Sequence, residues 1–87
     1  MRFVVGADEH APLLDVIAET LAARGHEVET VGALPGRSAP WGEVALAIAR
    51  RVASGEVDQG VVCCWTGTGV SIAANKVPGV RAALAPD

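Results

Sequence analysis

The sequence predicts one domain, residues 1–87, of the α/β class: a parallel sheet with helices on both faces, in a three-layer αβα arrangement. Short apolar runs with strand character alternate with stretches of helical period along the whole chain. The connections between them are short, and glycines stand where helices should stop. A βαβαβαβ order of this kind is satisfied by a parallel sheet with right-handed crossovers.

The elements follow in order. Arg2 to Val5 is a short apolar strand, stopped by Gly6, and Ala7-Asp8-Glu9-His10 is a polar loop at its carboxyl end. From Leu13 the period changes: Leu13, Ile17 and Leu21, with Leu14 and Ala18 beside them, form one apolar helical stripe. Arg24 closes this helix and Gly25 supplies the left-handed stop. His26 to Val31 alternates in polarity and reads as a half-buried strand. Gly32 to Pro40, rich in Gly, Pro and Ser, is a loop. A second helix runs from Trp41 or Glu43 to Ser54, with Val44, Ile48 and Val52 on one face and Gly55 after it. Gly60 to Cys64 is apolar without alternation, as expected of a central strand covered on both faces. Val70 to Asn75 is a short helix, Pro78-Gly79 a turn, and Val80 to Leu84 a fourth strand.

Composition narrows the function. The chain is 51% hydrophobic and 20% charged with a formal net charge of −3, so it is globular and lacks the basic surface nucleic acid requires. No stretch approaches the roughly 20 apolar residues of a membrane span, and the N-terminus has no signal-peptide pattern. Cys63 and Cys64 are adjacent and lack metal-ligand spacing, so a pair of thiols in a reducing cytoplasm is expected. A redox role for them is disfavoured, because vicinal cysteines lack the Cys-x-x-Cys geometry.

In parallel sheets ligands bind beyond the carboxyl ends of the strands, near a switch in strand order. Asp8, Glu9 and His10 after the first strand and Cys64 to Gly69 after the third share that edge. Cys64 ends a strand and precedes glycines opening a helix. There a thiol gains thiolate character and can act as base or nucleophile, although most cysteines of this kind are small buried hydrophobes. Thr66, Gly67, Thr68 and Gly69 form either a nest of N–H groups and hydroxyls for an oxyanion or a tight strand-to-helix turn. Their spacing is neither the dinucleotide fingerprint nor the P-loop. Asp8, Glu9 and His10 belong to a site or cap the helix that follows. Trp65 lines a pocket or covers the core, and Asn75, Lys76 and Arg81 read as structural.

The segment from Cys64 to Leu84, CWTGTGVSIAANKVPGVRAAL, resembles the signature of the ribose-5-phosphate isomerase B / galactose-6-phosphate isomerase (RpiB/LacA/LacB) family, typically C-G-T-G-x-G-x-S-I-A-A-N-K-x-P-G-x-R-A-A. Val52 to Gly60 also resembles that family's second helix and connection. The resemblance implies a Rossmann-like, cytoplasmic aldose–ketose isomerase of phosphorylated sugars, homodimeric, without metal or organic cofactor. It implies Cys64 as the base that moves a proton between C1 and C2 through an enediolate. Thr66, Gly67, Thr68 and Gly69 would stabilise that anion, with Thr66 catalytic and Asp8 and His10 on the substrate.

Three departures bear on that expectation. The family's Asp-His-Ala-Gly after the first strand is here Asp8-Glu9-His10-Ala11-Pro12, which displaces the histidine by one position. Trp65 stands in place of the usual glycine. The family continues past the position of Asp87 with a ring-opening histidine, phosphate-binding arginines, a further strand and a dimerising helix. The expectation is therefore of a truncated member. Among its seven Lys and Arg residues, Arg37 is the one in a loop placed to reach a ligand. The alternative is a catalytically silent α/β binding module that keeps only the anion-binding turn.

Overall fold

In the computed structural model, residues 1–8, 12–32, 40–63 and 68–84 are described. Their order is β1 (Arg2–Ala7), α1 (Pro12–Ala23), β2 (Glu27–Gly32), α2 (Trp41–Ala53), β3 (Gln59–Cys63) and α3 (Thr68–Asn75). The strands are parallel in the order β2-β1-β3, so β1 is central and β3 lies at one end of the described sheet. This corrects the expectation that the third strand is central, and β3 is accordingly half-buried rather than covered.

The sheet separates two apolar layers, and strand parity decides which residue joins which. Val5, Ala7, Val28, Val61 and Cys63 face α1, where Leu14, Ile17 and Leu21 meet them. Val4, Val31 and Val62 face α2, packed with Val44, Ile48, Val52 and the buried Val57. Val28 and Val31 therefore point to opposite faces of β2, which has one half-buried valine on each side where the alternation suggested a single buried face. Cys63 packs in the α1 layer.

Gly6 does not stop the first strand, because β1 continues through it to Ala7. Its function is spatial. A Cβ there would stand 2.8 Å from Ile48 Cδ1 and 2.8 Å from the Val31 carbonyl oxygen. A Cβ on Gly60 would stand 2.4 Å from Ile48 Cγ2. Ile48, 3% exposed, thus seats α2 in a depression that two glycines make in β1 and β3.

The helices begin and end for local reasons. Pro12 opens α1, where its missing N–H is no loss. Gly25 and Gly55 adopt φ of 87° and 82° after α1 and α2, the left-handed stops their sequence positions suggested. The inward stripe of α1 is rotated from the expected one: Leu14 is buried, whereas Leu13 faces out at 61% exposure. At the amino edge of the sheet, the Arg2 amide donates to Asp58 Oδ2 at 2.7 Å and the Asp58 amide donates to the Arg2 carbonyl at 2.8 Å. This exchange fixes the register with which β3 enters beside β1.

The expected fourth strand is not formed within residues 80–84, which have no regular secondary structure. The Asn75 side chain takes the backbone partners a strand would use. Ala82 N–H donates to Asn75 Oδ1 at 2.9 Å, and Asn75 Nδ2 donates to the Ala82 carbonyl at 3.0 Å and to the Ser71 carbonyl at 2.9 Å. One amide therefore ties the end of α3 to the segment that follows, which gives Asn75 the structural role its position suggested.

Candidate functional site

Strand order points to the candidate site. From β1 the chain passes through α1 to β2 on one side, then through α2 to β3 on the other. The order switches between β1 and β3, and in sheets of this kind ligands bind beyond the carboxyl ends of the strands at such a switch. Ala7 is the register partner of Gly32 in β2 and of Cys63 in β3. All three strands thus finish level, and Asp8 follows directly on the residue paired with Cys63.

Asp8 is half-buried at the end of β1. Thr68 and Gly69 open α3, which packs on α2 with Val70 and Ala74 buried. His10, Cys64, Thr66 and Gly67, with Glu9, Trp65 and Arg37, lie outside the described residues. Of the residues flanking them, Cys63 is in register with Ala7, the residue before Asp8, and Thr68-Gly69 opens α3.

Gly69 has a packing reason to be glycine. A Cβ there would lie 3.1–3.3 Å from Cζ3, Cη2 and Cε3 of Trp41, the first residue of α2. The indole reaches from α2 onto the start of α3 while staying 48% exposed. The sequence marked Trp41 only as a possible first residue of the second helix. The available signal was its place just after Pro40, where a helix following a strand must begin at the sheet's carboxyl edge.

Four of the six described Lys and Arg residues stand at the opposite edge. Arg2 opens β1 and donates to the Gly55 carbonyl at 3.1 Å. Arg24 follows α1, and Arg50 and Arg51 sit in the last turn of α2. Arg51 pairs with Glu29 at 2.6 Å and Glu56 at 3.2 Å. Its hydrogen bond to Glu29 raises the guanidinium above the ordinary arginine range, against the opposing effect of desolvation, with the Glu29 charge and Glu56 adding to the rise. Arg2 and Arg51 thus brace strand starts and a helix end, at the edge away from the carboxyl ends of the strands. Among the described residues, no helix is long and apolar enough to cross a membrane.

The fold is that of a doubly wound α/β protein whose strand order switches between β1 and β3. Within that class the chain belongs to the Ribose/Galactose Isomerase family, whose model matches residues 3–87. It is 42% identical over its whole length to the galactose-6-phosphate isomerase subunit LacB of Clostridium acetobutylicum, covering 51% of that protein. It is 43% identical to ribose-5-phosphate isomerase B of Escherichia coli over 78% of this chain and 46% of that protein. The structure of Clostridium thermocellum ribose-5-phosphate isomerase B matches 93% of this chain and 55% of that one, with a TM-score of 0.85 and 44% identity. The chain spans about half the length of these relatives.

Proposed function

We propose that the chain contributes to aldose–ketose isomerisation of a phosphorylated sugar, with its substrate in the crevice between β1 and β3. The observation that carries this reading is the register of Ala7 with Cys63, in a chain of this family. It pairs the last residues of β1 and β3, where strand order switches, and this supports a site beyond their carboxyl ends. Cys64, next after β3, acts as the base: its thiolate takes the proton from C2 of the aldose and returns it to C1 of the enediolate. Thr66, Gly67, Thr68 and Gly69 hold the anion that forms between those steps, by backbone N–H groups and the Thr66 hydroxyl. An anion of that kind needs donors fixed in place before charge develops. Asp8 and His10 engage the sugar hydroxyls from the other side of the crevice.

The substrate class is a short sugar with an anionic end. Relatives include D-erythrulose-4-phosphate isomerase 2 of Mycolicibacterium smegmatis, 39% identical, and a 4-deoxy-4-sulfo-D-erythrose isomerase, 35% identical. With the ribose and galactose phosphates, these names share a terminal phosphate or sulfonate and differ in carbon number. We infer that Arg37 or groups from a second subunit of a homodimer hold the terminal anion, since Arg2, Arg24, Arg50 and Arg51 stand at the far edge. A second reading, a binding module without turnover, draws on the chain's coverage of only half of its relatives.

One assay separates the two readings. The chain is incubated with ribose 5-phosphate, erythrulose 4-phosphate and galactose 6-phosphate, and aldose–ketose exchange is followed. The isomerase reading expects turnover that falls by about 10²–10⁴ in Cys64→Ala. Binding without exchange, unchanged by that substitution, supports the silent module.

A further inference from the structure

We propose that Trp41 is a specificity-determining residue of this crevice, its indole forming the wall on which the carbon chain of the sugar rests. The inference rests on the isomerase reading above. Trp41 opens α2 at the carboxyl edge of the sheet, the edge that carries Asp8 and the start of α3. Its ring lies against Gly69, the second residue of α3, where a Cβ would crowd it at 3.1–3.3 Å. The ring is thus held by two helices at the mouth of the crevice.

A further fact points to a ligand. The ring keeps 48% of its surface exposed, so packing against Gly69 accounts for only part of its apolar area. On the isomerase reading, this exposed ring at the start of α3 and the N–H donors of the site divide the work of recognising a sugar phosphate. The anion and the hydroxyls go to the donors. The C–H groups of the sugar are apolar, with slight positive charge at hydrogen, and suit the electron-rich face of an indole. Inorganic phosphate has no such face and gains nothing from the ring.

The test is a ¹H–¹⁵N titration of the chain with ribose 5-phosphate and, separately, with inorganic phosphate. The Trp41 indole N–H is assigned by its loss in Trp41→Phe. The indole signal is expected to move with ribose 5-phosphate and to stay in place with inorganic phosphate. Trp41→Leu should weaken ribose 5-phosphate binding about three- to tenfold. It should leave the response to inorganic phosphate as in the native chain, and Trp41→Phe should restore most of the loss. A dispersed spectrum of each variant establishes that it is folded. Should the Asp8 and Gly69 amides respond to ribose 5-phosphate while the Trp41 indole is silent, or should Trp41→Leu bind as the native chain does, the inference is overturned and the isomerase reading stands. Should no resonance of the folded chain respond to the sugar phosphate, both are overturned.

Discussion

Gly6→Ala is the substitution that probes most sharply how the sheet carries α2. The added Cβ would meet Ile48 Cδ1 and the Val31 carbonyl oxygen at 2.8 Å, and Val31 Cγ2 at 3.0 Å. Ordinary contact begins near 3.4 Å, so each of the two closest atoms must give by about 0.6 Å. Ile48 can rotate its terminal methyl. The Val31 carbonyl cannot yield so easily, because β2 is paired with the central strand along its length. Overpacking of this kind costs ~1–3 kcal/mol. Replacing glycine in a strand returns ~0.5–1 kcal/mol of backbone entropy. The net expectation is a loss of about 1–2 kcal/mol, or a melting temperature lower by about 4–15 °C for a domain of this size. Urea denaturation with linear extrapolation, alongside a thermal melt, measures both. Ile48→Val removes Cδ1 and alone costs ~0.5–1.5 kcal/mol. It also relieves one of the two closest contacts, so the double variant should lose less than the two single losses added, by about 0.5 kcal/mol or more. A Gly6→Ala chain as stable as the native one, or strict additivity with Ile48→Val, would refute the close-approach account.

Other outcomes follow from the same contacts. Asn75→Ala removes both bonds to Ala82 and should cost about 1 kcal/mol at this exposed site. The Ala82 amide should then exchange with solvent much faster, whereas Asn75→Asp keeps the acceptor and protects that amide. Gly69→Ala sets a gain in helix propensity, at most ~1 kcal/mol, against crowding of the Trp41 ring. Denaturation midpoints should therefore show it more stabilising in a Trp41→Leu background than in the native chain. The Arg51 guanidinium has its pKa raised, so its contribution is complete below the ordinary arginine range and is lost only as pH rises through the higher value. The stability difference between the native chain and Arg51→Met should hence be constant from neutral to mildly alkaline pH. It should shrink as salt is added, since the pair is exposed.

Much of the fold was legible because its signals are local. Helical stripes, the stops at Gly25 and Gly55 and the apolar strand runs each lie within a few residues, and the elements form where those signals stand. What was not legible depends on distant partners. Gly6 looks like a strand end until Ile48, far along the chain, is seen to occupy the space above it. Whether Leu13 or Leu14 faces the sheet is set by the rotation of α1, which a broad stripe leaves open. Val80 to Leu84 has strand composition, but Asn75 satisfies the Ala82 backbone instead. The edge that carries the site could be read from topology, since the loops after parallel strands must share it. Trp41 could not, because its meeting with Gly69 depends on how α2 packs against α3.

The central claim is that proton transfer from sugar carbon takes place after β3, with Cys64 as the base. Ribose 5-phosphate incubated with the chain in deuterium oxide, with carbon-bound deuterium followed by NMR, tests it directly. An enediolate whose proton is held on a thiol exchanges with solvent, so deuterium should enter at C2 of the aldose and C1 of the ketose. The same experiment with Cys64→Ala should show no incorporation above the enzyme-free rate. Incorporation at an equal rate in Cys64→Ala, or none with the native chain while ribose 5-phosphate is bound, would contradict the account.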